Sequence, residues 1–102
     1  MVKDRELLED SAKAAGLKIE YWAQDDYPVV NNGAENFGWN PLKFDSDAFQ
    51  LAVNLGLVVD CSRPSAGQPF RPHAVYLDET MSNAELTRRA IVQAAAEIGK
   101  AA

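Results

Sequence analysis

From Cys61 to Leu77 the chain contains no carboxylate, yet this segment holds Arg63, Arg71 and the single histidine, His73. The whole chain carries a formal net charge of −5, so taking out a local +2 leaves −7 on the remainder. An approaching anion meets the least repulsion here, and the guanidinium fork of arginine matches the paired oxygens of a phosphate or carboxylate. The competing reading pairs Arg63 and Arg71 with Asp60 and Asp78 at the two ends of the segment, as surface ion pairs of small energetic consequence. Trp22, Tyr27, Phe37 and Trp39 add aromatic faces in one short stretch. Such a face can stack on a base while an arginine opposite holds its phosphate. Trp39, just before Asn40-Pro41, reads as a core residue, which leaves Trp22 and Tyr27 as the expected ligand contacts.

Catalytic chemistry finds less support in the residue types. A hydrolase would have to be built on His73, with Cys61 or a serine as nucleophile. No nucleophile-elbow glycine pattern is present, and Cys61 in an apolar strand reads as a small buried hydrophobe. Asp25 with Asp26, and Asp45 with Asp47, have the spacing of paired acids or a Mg²⁺ site, but turn formation and helix capping account for them. Phosphate-loop and dinucleotide fingerprints are missing from the chain. One cysteine forms no intramolecular disulfide, and one histidine with scattered acids does not compose a transition-metal site, so no metal or cofactor is expected. Arg88 and Arg89 lie one turn after Glu85 and read as a solvated helix face.

These residues must be positioned by elements that the periodicity predicts. Residues 4–15 carry Leu7, Leu8, Ala12 and Ala15 at helical spacing, with Gly16 as the stop. Leu17 to Ala23 alternates as a strand, with Trp22 the odd large ring on the polar face. Tyr27–Asn31 and Phe37–Trp39 are short strands, with Pro28 restricted to an edge or a strand start and Asn32-Gly33 forming the turn between them. A second helix runs from about Ser46 to Leu55, capped by Asp45 with Phe44 and Phe49 as a hydrophobic staple. Strands follow at Leu57–Ser62 and His73–Asp78, separated by a loop containing Pro64, Gly67, Pro69 and Pro72. The capping box Ser82-Asn83-Ala84-Glu85, with Met81 and Leu86 as its staple, opens a third helix ending at about Ile98 before Gly99. Ile91, Ala94, Ala95 and Ile98 are its expected buried face. The order α-β-β-(β)-α-β-β-α, with hairpin-length links, predicts an α+β domain: a small antiparallel or mixed sheet with three helices packed on it.

The run Trp39-Asn40-Pro41-Leu42, with Asp45, Asp47-Ala48, Leu51 to Leu57 and the later Arg88 to Val92 and Ala94-Ala95-Ala96, resembles the phage α-β-α sandwich domain family of small phage and prophage proteins. That resemblance implies a sandwich fold and an accessory role, and it carries over no catalytic residues. Small phage proteins of this general size often counter host defences, some by sequestering nucleotide immune signals and some by blocking a host protein, and that context sets the expectation for this chain.

With 102 residues, 47% hydrophobic and 25% charged, the chain is expected to fold as a single domain over 1–102. Its start lacks the apolar core of a signal peptide and no apolar run is long enough to span a bilayer, so the expected location is cytoplasmic, in the host cell if phage-encoded. The acidic balance argues against binding extended nucleic acid. The expected function is non-enzymatic capture of a small anionic ligand of the nucleotide class. Arg63, Arg71, His73, Trp22 and Tyr27 would form the site, in a pocket between the Arg63–His73 loop and the aromatic strands or at the interface of a homo-oligomer. The alternatives are a module that inhibits a host protein through acidic residues such as Asp25, Asp26 and Asp45, and a small hydrolase using His73.

Overall fold

A computed structural model describes residues 4–23, 27–71, 73 and 75–101. Eight elements follow in order: α1 (Asp4–Ala14), β1 (Lys18–Trp22), β2 (Pro28–Asn31), β3 (Asn36–Gly38), α2 (Asp45–Leu55), β4 (Val58–Asp60), β5 (Ser65–Gly67) and α3 (Asn83–Ala101). The α+β class is as the sequence predicts and the element order follows it roughly, with the expected single sheet divided in two. The strands form two antiparallel sheets, β1-β2-β3 and β4-β5. The Cα radius of gyration, 12.9 Å, is that of a compact chain of about 100 residues.

The long helix α3 is the hub, packing against α1, α2, β4 and β5. Its buried residues Leu86, Ala90, Ile91, Val92, Ala95, Ala96 and Gly99 therefore cover more than one stripe. Where it meets α1 the side chains are small. Ser11, wholly buried on α1, directs its Oγ at the carbonyls of Leu7 (2.6 Å) and Val92 (3.0 Å), so its hydroxyl is satisfied within the helix contact. Gly99 was expected to end the helix, but the helix continues through it to Ala101. A Cβ at Gly99 would collide with the Asp10 carbonyl, so this glycine permits close helix approach rather than termination.

Several local expectations change in the same physical way, with tertiary contact overriding local pattern. A bulge at Glu20 shifts the β1–β2 register between Ile19 and Tyr21. The extra residue turns Tyr21 outward and brings Trp22 onto the core side with Ile19, which explains the odd aromatic in the alternation. Pro28 opens the central strand β2, where the N–H it lacks is not missed because the β1 ladder ends there. Asp45 does not cap α2: Phe44 holds the cap position without a side-chain bond, and Phe44 and Phe49 are both exposed rather than stapled. The Asp45 carboxylate instead accepts from Arg88 Nη1 at 2.6 Å, while Arg88 Nε donates to the Leu42 carbonyl at 3.0 Å. Arg89 forks onto Asp4 at 2.7 and 3.4 Å. Neither arginine is a merely solvated residue; each ties α3 to the start of another helix.

The capping box of α3 forms as expected, Glu85 N donating to Ser82 Oγ at 3.1 Å and Ser82 N to Glu85 Oε1 at 3.4 Å. The Asn32-Gly33 turn also forms, Asn31 and Asn32 accepting the Gly33, Ala34 and Glu35 amides. The expected turn at Gln24-Asp25-Asp26 lies outside the described residues.

Candidate ligand-binding cleft

The segment after β4 departs most from expectation and builds the site. The sequence places a strand at His73–Asp78, but the partner of β4 is β5, inside the proline-bearing loop. Its residues are small and buried: Ser65, Ala66 and Gly67 pack against α3, and a Cβ at Gly67 would meet the His73 ring. Among the described residues of 73–78 there is no strand, although Tyr76 N donates to the Pro64 carbonyl at 2.8 Å beside β5.

Two aspartates pin the ends of this segment. The Asp60 carboxylate accepts from the Ser62 hydroxyl (2.7 Å), the Ser62 amide (2.9 Å) and the Arg63 amide (3.2 Å). The Ser62 hydroxyl, then the two amides, hold its pKa below the ordinary carboxylate value. Asp78 is lowered in the same way by the hydroxyl and the amide of Thr80. A carboxylate with a depressed folded-state pKa stabilises the fold above its unfolded pKa, and that contribution is lost as pH falls through the folded value. Acidification below about pH 4 should therefore release the 60–63 and 78–80 turns. Amide hydrogen exchange at Ser62, Arg63 and Thr80, rising there before it rises in the interior of α3, is the expected observation; uniform exchange across the chain would contradict it.

Between these turns, a tight turn from Gln68 to Arg71 carries one predicted site residue, the exposed Arg71, and places it near a second, His73. Gln68 O accepts from Arg71 N at 3.3 Å and from His73 Nε2 at 2.9 Å, which requires the proton on Nε2. Phe70 sits at the turn's tip, wholly exposed, with a left-handed φ of 64°. That conformation costs a non-glycine residue about 1–2 kcal/mol. The His73 ring lies so close over Gly67 that a Cβ there would overlap it. Arg71 and His73 line a cavity of about 610 Å³ together with Gln68, Tyr76, Gln93 and Glu97, a volume in the range of small-ligand sites. Ala94 and Ile98, expected in the buried face of the last helix, supply apolar lining. Burial, and after it the Glu97 charge, raise the Tyr76 pKa, while Arg89 opposes this; the phenol thus stays neutral and able to donate.

The other three predicted contacts do not line this cavity. Arg63 is exposed in the turn after β4, near the Asp60 charge. Trp22 packs toward the core, with the Arg5 guanidinium 4.2 Å from its ring centre. Tyr27, just before β2, lies against Gly38 at the end of β3. The cavity is lined by β5, by Gln68, Arg71, His73 and Tyr76 after it, and by α3, and not by the aromatic strands. Glu97, Gln93 and Tyr76 were not singled out from the sequence. The signal available for two of them was their i, i+4 spacing on one helix face, Gln93 Nε2 donating to Glu97 Oε1 at 3.4 Å.

A second cavity, of about 660 Å³, lies between α2, α3 and β4 and is lined mainly by apolar residues including Phe49, Val53 and Ile91. Its charged residues, Asp45 and Arg88, are paired with each other. Cys61 lines this groove and is exposed, not buried in a strand as expected, because β4 ends at Asp60. Cys61 and His73 therefore face different cavities. Among the described residues no helix is long and apolar enough to cross a membrane. No protein-family model, no curated protein and no solved structure matches the chain.

Proposed function

We propose that this chain is a non-catalytic binding protein that captures a small anionic ligand of the nucleotide class in the cleft between the Gln68–Arg71 turn and α3. One observation carries the reading: Arg71 lines a cavity of nucleotide dimensions and has no carboxylate within ion-pair distance among the described residues. A guanidinium with no ion-pair partner among the described residues, on a chain of net charge −5, is the natural partner for phosphate oxygens. His73 adds a second polar ring beside it, and Tyr76 a neutral phenol. In this reading the protein holds its ligand without transforming it, which is the sequestering role that the resemblance to phage accessory proteins suggests.

Calorimetric titration with ADP, ADP-ribose and cyclic dinucleotides tests the proposal. Arg71→Glu should weaken the ligand that binds by at least about a hundredfold, equivalent to about 2.7 kcal/mol, since an attraction becomes a repulsion. Arg63→Glu, outside the cleft, should leave affinity within about threefold. No heat with any ligand on folded protein, or equal losses from the two substitutions, would refute the assignment.

A further inference from the structure

The cleft has two chemically opposed walls. The Gln68–Arg71 turn supplies the Arg71 guanidinium, with the His73 ring beside it donating its Nε2 proton to Gln68 O, whereas α3 supplies the Glu97 carboxylate. Arg71 and Glu97 line the same cavity, yet no contact within 4.0 Å joins them. Two opposite charges that share a cavity without neutralising each other leave room for a ligand that satisfies both. Gln93 steadies the carboxylate from one turn away, and Glu97 is exposed on the helix surface, free of any core role.

A bare phosphate or pyrophosphate satisfies only the Arg71 side and is repelled by Glu97. A nucleoside phosphate differs. Its phosphate can meet Arg71 while two neighbouring ribose hydroxyls donate to one carboxylate, the arrangement by which an acidic residue reads ribose in dinucleotide sites generally. The apolar lining from Ala66, Ala94 and Ile98 suits the uncharged body of such a ligand better than a hydrated inorganic ion. We infer that Glu97 is the specificity-determining residue of the cleft, selecting phosphorylated ligands that carry a free ribose cis-diol and rejecting bare polyanions. This inference rests on the anion-binding reading of the same cleft.

The test compares ADP, 2′,3′-dideoxy-ADP and inorganic pyrophosphate on wild type and Glu97→Gln, by calorimetry in metal-free buffer, with circular dichroism confirming the fold of the variant. Wild type should bind ADP at least about tenfold more tightly than either of the other two. In Glu97→Gln the repulsion is gone and one hydroxyl acceptor is lost, so pyrophosphate should gain about tenfold and the three affinities should converge to within about threefold. An unchanged preference in Glu97→Gln, or dideoxy-ADP binding wild type as well as ADP does, overturns the role of Glu97. Equal binding of ADP and pyrophosphate to wild type removes this inference and leaves the anion cleft standing. Binding of none of the three to folded wild type removes the cleft assignment, and this inference with it.

Discussion

Replacing Gly99 by alanine should destabilise the protein by more than about 3 kcal/mol, although the same exchange inside an ordinary helix gains about 1 kcal/mol. The sign reverses because of where the new methyl group would go. A Cβ at position 99 would overlap the backbone carbonyl of Asp10, and a backbone atom in the middle of packed elements cannot step aside as a side-chain tip can. α1 would have to move away from α3, opening the seam that buries Leu7, Leu8, Ser11 and Ala12. Overpacking within side chains usually costs about 1–3 kcal/mol, and displacement of a whole helix should exceed it. For a chain of this size the loss corresponds to a fall in Tm of more than about 10 °C. Gly99→Val should leave no cooperative transition. Thermal denaturation followed by circular dichroism decides the matter: a Gly99→Ala protein as stable as wild type would show that α1 and α3 are not in this close contact.

Trp39→Ala is expected to cost about 3–5 kcal/mol, the usual range for removing a large buried aromatic, against a total stability on the order of 5–15 kcal/mol. Trp39 is 5% exposed and belongs to the core cluster that joins Val30 of β2 to Leu51 of α2. The backbone around it is fixed at both ends. Trp39 N donates to the Pro28 carbonyl at 3.0 Å, and Asn40 N donates to Asp47 Oδ2 at 2.9 Å. With its neighbours so tethered, the site cannot collapse around the smaller side chain, and a cavity remains. Urea denaturation of Trp39→Ala and Trp39→Phe separates volume from ring chemistry. The phenylalanine variant should recover most of the loss, and an alanine variant destabilised by less than about 1 kcal/mol would place Trp39 outside the cooperative core.

Both predictions concern residues whose importance was unequally visible in the sequence. Trp39 before Asn40-Pro41 was readable as core because a large ring next to a turn-forming pair has few other places to go. By its position Gly99 reads as a helix stop, since a glycine near the end of a periodic run usually is one. Its actual role depends on Asp10, 89 positions away, and no local rule carries that information. Asp45 followed the same course: capping is the local explanation of an aspartate before a helix, but Arg88, 43 positions later, offered a stronger charge-assisted partner.

Sequence alone determined the helices, the hairpin strands and the α+β order, because these follow from periodicity, caps and turn residues that act over a few positions. It also marked the acid-free stretch with Arg71 and His73, since charge is a property of composition. Only the tertiary structure decided that the Ser65–Gly67 strand, not the 73–78 segment, would pair with β4. Burial beneath α3 favours the smallest side chains over the stronger strand formers. The folded chain also brought Arg71 and Glu97 to one cavity and left Arg63, Trp22 and Tyr27 off it. Which charges share a cavity depends on long-range packing, and a linear pattern of residue types does not encode it.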